Sequence, residues 1–286
     1  MSAITAMIAG FLFEINGYIP MIICVATLII SARIACNFKV IDNEENESEK
    51  NKEKIKVKQI YKNNLRDIKT AFSFIFNSKR LRALMVYSAV MYGIIMVMNT
   101  YEMNLLDDIN ISASTIGIIY AIMQIVAGIS SKKQNKFHNK YKNKTLTVIG
   151  LTYTIACLIA GIVSIMNISN IVIISIVIAT YTIRYIGTGL YYVLIKKYIT
   201  NFTNSEVANK VYAAYGLVTG MGNAIICIFG AIVVLRYNIR YSMVIFGIVF
   251  LTIMIIIVNY MKNRVGLEPT EYRKKDINYK EYISLK

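Results

Sequence analysis

The chain has only 2 prolines, a single histidine and no tryptophan among its 286 residues, and no more than 17% of it is charged. So little charge beside 56% hydrophobic residues and a mean hydropathy of +0.51 excludes an ordinary soluble domain and points to an integral membrane protein. Cysteine is equally sparse. Cys24, Cys36, Cys157 and Cys227 stand singly in apolar segments, with no CxxC pair and no neighbouring His or carboxylate, so they read as small buried hydrophobes and no metal site is expected. There is no GxxxxGK[ST], HExxH or GxSxG motif and no carboxylate pair within the apolar segments, so neither an enzyme nor a self-contained ATP-driven machine is expected, and no cofactor. Acidic residues are half as numerous as basic ones, 16 against 32, for a net charge of +16. Nucleic-acid modules carry such charge on a folded polar surface and lack repeated apolar runs of about 20 residues, so nucleic acid is not an expected partner. The first residues lack a basic stretch followed by a small-residue cleavage site, and no removable signal peptide is expected.

What the chain does have is apolar runs. Seven are long enough to cross a bilayer as helices: 19–36, 83–104, 113–131, 145–166, 170–195, 211–235 and 241–261. An eighth run at 2–13 is a stub of 12 residues before Glu14. The expected fold is all-α, a polytopic transmembrane helical bundle. Its partner is the lipid bilayer.

The cations segregate. Segments 38–82, 132–144, 196–210 and 262–286 hold 28 of the 32, whereas 14–18, 105–112 and 167–169 hold none and 236–240 only Arg236 and Arg240. Every cation-rich segment falls on one side, which places both termini in the cytoplasm by the positive-inside rule and the protein in the inner cell membrane. The stretch "DNEENESEKNKEK" within 38–82 has too little apolar content to fold. After it, Val57, Tyr61, Leu65, Ile68, Phe72 and Ile75 recur three or four apart among lysines, which predicts an amphipathic helix on the inner membrane surface. His138, among the lysines of 132–144, reads as an ordinary residue of a wet loop.

Charges inside apolar runs are costly, by roughly 2.5–3.5 kcal/mol on insertion scales, and so are functional candidates. Arg184 lies midway through 170–195, too deep to snorkel, and should meet either an anionic substrate group or a carboxylate of another helix. Arg33, near the inner end of its span, should snorkel. Asn99, Glu102, Gln124 and Asn223 are further polar residues within spans. Tyr153, Tyr181 and Tyr185 could stack on a flat organic molecule or merely fill space. Gly216, Gly220 and Gly222 suit helices that pack closely or slide, and Gly187 and Gly189 could loosen the inner half of the Arg184 helix.

Offset by 220 residues, "SAITAMIAG" (2–10) overlies "GNAIICIFG" (222–230), aligning Gly10 with Gly230 ahead of a short turn and a long apolar helix. Parallel repeats of this kind mark transporters. With a long basic loop dividing two spans from six, the chain resembles the major facilitator superfamily. The resemblance implies helices 5 and 6 at 1–37, the first incomplete, a cytoplasmic central loop at 38–82, a six-helix bundle at 83–261 and a cytoplasmic tail at 262–286. It implies that Asn99, Gln124, Arg184 and Asn223 line the transport pathway. It also marks Gly128, Lys132, Lys133 and Lys136 as gating-loop candidates, although Lys132 stands where the family carries an acidic residue. The resemblance further implies a secondary transporter of small molecules, a drug exporter lacking four N-terminal helices, that works by rocking of two bundles. The alternative is a non-transporting remnant or subunit that completes a bundle with another chain.

Overall fold

The computed structural model describes residues 2–37, 57–203 and 205–261, and every long element among them is a helix. In chain order these are α1 (Ser2–Ile15), α2 (Tyr18–Cys36), α3 (Val57–Asn77), α4 (Lys79–Asp108), α5 (Ala113–Lys132), α6 (Gln134–Tyr141), α7 (Thr145–Ile165), α8 (Asn170–Phe202), α9 (Ser205–Arg236) and α10 (Ile239–Met261), with a 3-10 turn at Lys142–Lys144. Seven of them, α2, α4, α5 and α7 to α10, are long and apolar enough to cross a membrane. The chain is a multi-pass membrane protein with an all-helical bundle fold. The "DNEENESEKNKEK" stretch and the 262–286 tail lie outside the described residues.

Several helices outrun their apolar windows. α4 has 30 residues, about 45 Å at 1.5 Å per residue, against a hydrocarbon core of about 30 Å. It starts at Lys79, inside the segment expected to be loop, because Ser78 caps it by accepting from the Leu81 amide at 3.3 Å. Its far end closes on Asn110, which takes the left-handed conformation (φ 64°) that Asn tolerates better than most residues. The Asn110 amide then reaches the Asp107 carbonyl at 2.9 Å and the Ile111 amide the Leu106 carbonyl at 3.1 Å, a Schellman closure. α8 runs on past 195 through Lys196 and Lys197 because Tyr198, Ile199 and Phe202 supply a buried stripe.

Helices α4 and α7 to α10 enclose most of the core, and α5 packs along α8. Several close helix approaches depend on glycine, two of them on α8 and α9. A Cβ at Gly189 on α8 would collide with the Ala127 carbonyl of α5, and one at Gly222 on α9 would collide with the Ala89 carbonyl of α4. Gly189 therefore draws two helices together; it does not loosen its own. Gly216 and Gly220 have open space where a side chain would be.

The two N-terminal helices differ. α1 lies along α5, with Gly10 against the backbone of Ala113, Ser114 and Gly117. At its end, outside the seven spans, Glu14 Oε1 accepts from the Ser114 amide at 3.0 Å. That amide, with the Ser114 and Ser112 hydroxyls, holds the Glu14 carboxyl below the usual carboxylate range. α2 touches chiefly α1 and has no buried residue. α3 is the amphipathic helix predicted from spacing, but its last turns insert Ala71, Phe74 and Ile75 into the core against α4 and α9, while Leu65 stays exposed.

Candidate functional site

Arg184 projects from the middle of α8 into the interior, where it is 1% exposed. Its Nη2 donates to Glu102 Oε2 of α4 at 2.5 Å. The second carboxylate oxygen accepts from the Tyr185 hydroxyl at 2.7 Å, and the Glu102 carbonyl accepts from the Tyr181 hydroxyl at 3.0 Å. The guanidinium carbon lies 4.4 Å from the Tyr181 ring centre and 5.7 Å from that of Tyr153. Of the two partners foreseen for Arg184, the structure supplies the carboxylate.

One helical stretch does most of this. In "TYTIRY", Tyr181, Arg184 and Tyr185 fall three and four apart, so all three face α4 one turn above another. Glu102 meets them because α4 stays helical six residues beyond it, to Asp108. Burying both charges carries a large desolvation penalty, which the pair offsets through its mutual contact, the Tyr185 hydroxyl that donates to the carboxylate and the two aromatic faces that cover the cation. Arg184 Nε and Nη1 are buried with no hydrogen-bond partner among the described residues. The pocket beside the pair, bounded by Glu102, Tyr120, Tyr181 and Tyr185, measures about 10 Å³. That is room for one water at most. In this conformation the pair is sealed from any organic substrate.

The other pathway candidates lie elsewhere. Asn99, Gln124 and Asn223 are half-buried, and no hydrogen bond joins them to one another or to Arg184 among the described residues. Asn223 accepts from Cys227 at 3.2 Å, one turn along α9. The same helices carry half-buried tyrosines, Tyr92, Tyr120, Tyr192 and Tyr215, that sequence reasoning passed over. Tyr92 of α4 packs edge-on against Tyr192 of α8 at 6.3 Å, and Tyr120 of α5 against Tyr185 at 5.9 Å. The Tyr191 ring is tilted against that of Tyr192, centre to centre 5.3 Å, and its hydroxyl lies 3.5 Å from that of Tyr215 on α9. A signal was present: Tyr92 precedes Asn99 by seven residues, Tyr120 precedes Gln124 by four and Tyr215 precedes Asn223 by eight, all helical same-face spacings. Tyr153 and Tyr181, read as stacking candidates, instead cover the Arg184 cation.

Of the loop candidates, Gly128 has open space around it and Lys132, Lys133 and Lys136 are exposed. The wet loop expected around His138 is instead α6, folded back under α7 and α8. His138 is 2% exposed, with Nδ1 2.5 Å from the Tyr198 hydroxyl and 3.4 Å from that of Thr145. The lysines on either side of it face outward, so the residue that looks most solvated by its neighbours is the one the helix turns inward.

At the opposite, lysine-poor end, Arg240 Nε donates to Asp108 Oδ2 at 2.5 Å, Nη2 to the Asp108 carbonyl at 3.1 Å and Nη1 to the Ser164 carbonyl at 3.4 Å. One side chain thus clamps α4, α7 and α10.

A bundle of membrane-length helices around a sealed interior ion pair, with half-buried tyrosines on four of them, defines a polytopic carrier-like protein. The family model described as the Major Facilitator Superfamily matches residues 1–186, from α1 through the Arg184 cluster on α8. The chain belongs to that superfamily. No curated protein and no solved structure matches it.

Proposed function

We propose that the protein is a secondary carrier for flat, amphipathic organic molecules, held at the face formed by Tyr92, Tyr120, Tyr192 and Tyr215 with Asn99, Gln124 and Asn223, and that it exports them across the inner cell membrane with both termini cytoplasmic. The observation that carries this reading is the gathering of half-buried tyrosines on α4, α5, α8 and α9. Tyrosine offers an apolar ring for stacking and a hydroxyl for orientation, which suits a ligand with one greasy and one polar part. The Glu102–Arg184 pair then holds α4 and α8 in register beside that face; it does not bind the ligand. Transport, not bond-making chemistry, is the activity, and no cofactor enters it.

The test is transport of fluorescent amphipathic dyes by the purified chain in liposomes under a proton gradient, together with equilibrium dye binding. Saturable transport that Tyr192→Ala weakens by about fivefold, as expected for loss of one stacking ring worth about 1 kcal/mol, supports the reading. Absence of both transport and binding across the panel overturns it.

A second reading has a specific observation behind it. α2 buries none of its residues, and α9 exposes Leu217, Met221, Ile225, Ile228, Ile232 and Leu235 at three- and four-residue spacing. Both faces suit a subunit whose bundle is completed by another chain, such as a four-helix partner. Dye binding without transport, with transport restored on co-reconstitution of that partner, favours this reading.

A further inference from the structure

A recess of about 290 Å³ opens between α5, α6 and α8 at the lysine-rich end, lined by Val126, Ile129, Ser130, Phe137, Ile186 and Leu190, with Lys133 at its mouth. It lies apart from the tyrosine face. On α8, Ile186 and Leu190 sit a quarter-turn or more round the helix from Tyr185 and Tyr192, and Ile129 and Ile186 are exposed where a membrane-spanning helix meets lipid.

The interior of the recess offers nothing polar to a ligand. The Ser130 hydroxyl is turned to the carbonyls of Ala127 at 2.8 Å and Ile186 at 3.1 Å, so it serves the α5–α8 contact and not the cavity. Phe137 of α6 roofs the lysine-rich end, its ring against Tyr141 at 4.6 Å. At the mouth the chemistry changes abruptly. Lys133 borders it, Lys132 and Lys136 flank it in sequence, and Lys197 is held close to α6 by donating to Asn135 Oδ1 at 2.8 Å. The chain has no acidic residue between Asp108 and Glu206, so no carboxylate of α5, α6, α7 or α8 competes for these cations.

We propose that this recess holds one acyl chain of an anionic phospholipid from the lysine-rich leaflet, which the cation asymmetry assigns to the cytoplasm, with Lys133 bound to its phosphate. An apolar slot about the size of the smallest ligand pockets, ending in a cation at headgroup depth, matches a lipid's own division into tail and phosphate. A zwitterionic lipid fills the slot equally well but gains less from the lysines. An apolar helix of a second copy would gain nothing from them.

Because the chain contains no tryptophan, Phe137→Trp creates a single reporter inside the recess. The full-length variant is reconstituted in phosphatidylcholine vesicles carrying a minority of lipid with brominated acyl chains, either phosphatidylglycerol or phosphatidylcholine. Brominated phosphatidylglycerol is expected to quench the reporter with a relative association constant about fivefold higher than brominated phosphatidylcholine, the preference one lysine provides at a membrane surface. Adding Lys133→Gln is expected to abolish the preference. A tryptophan at Ile256 on the exposed side of α10 should show none. Equal quenching by the two lipids at position 137, or a preference that survives Lys133→Gln, overturns the proposal, and quenching by neither shows the recess covered by protein and overturns it too. If Phe137→Trp fails to fold, native mass spectrometry of the unsubstituted chain against Lys133→Gln decides: a retained phosphatidylglycerol adduct lost in the variant supports the site, and equal adducts overturn it. These readouts are independent of whether the tyrosine face carries any substrate.

Discussion

Arg184 and Glu102 stand 82 positions apart in the chain and meet at 2.5 Å in the apolar interior, both side chains shut off from solvent. The contact joins the middle of α8 to α4, and the hydroxyl of Tyr185 completes the carboxylate's coordination. A charge stranded alone at that depth would have neither water nor a counter-ion, so the two residues are energetically one unit.

The first expectation follows from that coupling. Arg184→Met or Glu102→Leu alone leaves an unpaired buried charge and should destabilise the bundle by about 3–5 kcal/mol, whereas the double substitution replaces the pair by apolar volume and should recover most of the loss. Thermal unfolding of the four proteins in one detergent measures this cycle. A double variant whose loss equals the sum of the two single losses would show that the two side chains are not coupled.

The second concerns glycine. Gly189→Leu should force α5 and α8 apart, since its Cβ alone already collides with the Ala127 carbonyl, and overpacking of this kind costs about 1–3 kcal/mol. Gly216→Ala, whose Cβ would have nothing within 4 Å, should cost nothing and should gain up to about 1 kcal/mol of helix propensity. Melting temperatures measured side by side separate close packing from bare small-residue content; similar losses in both variants would contradict the assignment.

The third uses Glu14. Its carboxyl is held below the usual range by the Ser114 amide and the Ser114 and Ser112 hydroxyls, so the docked state favours the charged form. A depressed folded value contributes stability that is present above the ordinary carboxylate range and is lost as pH falls through the folded value. The α1–α5 contact should therefore weaken on acidification below that range and not on alkalinisation. Hydrogen exchange across Ser112–Thr115, corrected for the intrinsic pH dependence, should show lost protection at low pH in the native protein. Glu14→Gln should show the weakened contact at every pH.

How far these features were legible depends on their range. The spans were visible as apolar runs and the α3 helix as a spacing of three and four, because both are local patterns. Arg184 stood out for the same reason, as one charge in an apolar run. Glu102 was visible too, as a polar residue within a span, but its pairing with Arg184 was not: it lies near the end of its apolar window and meets Arg184 because α4 continues to Asp108 and closes at Asn110. His138 was misread because composition reports the neighbours' charge and not which way a short helix turns. Gly189 was misread as a loosening element because the backbone it admits belongs to a helix some sixty residues earlier.

The last expectation tests orientation. Arg236 and Arg240 are the cations on the otherwise lysine-free side, and Arg240 is engaged there by the Asp108 side chain, the Asp108 carbonyl and the Ser164 carbonyl. A cation paired in this way is a structural clamp and offsets little of the asymmetry in sequence, in which 28 of the 32 cations fall in the segments expected to be cytoplasmic. Asp107, exposed beside the clamp, should then face outward and Lys140, exposed on α6, should face the cytoplasm. In a background with Cys24, Cys36, Cys157 and Cys227 replaced, a membrane-impermeant thiol reagent applied to intact cells should label Asp107→Cys readily and Lys140→Cys only after permeabilisation. Neither substitution touches the clamp, the ion pair or the tyrosine face, so a failure to label cannot be laid to lost packing at those sites. The reverse pattern, with position 140 labelled from outside and position 107 protected, would invert the topology and move the lysine-rich recess to the outer leaflet.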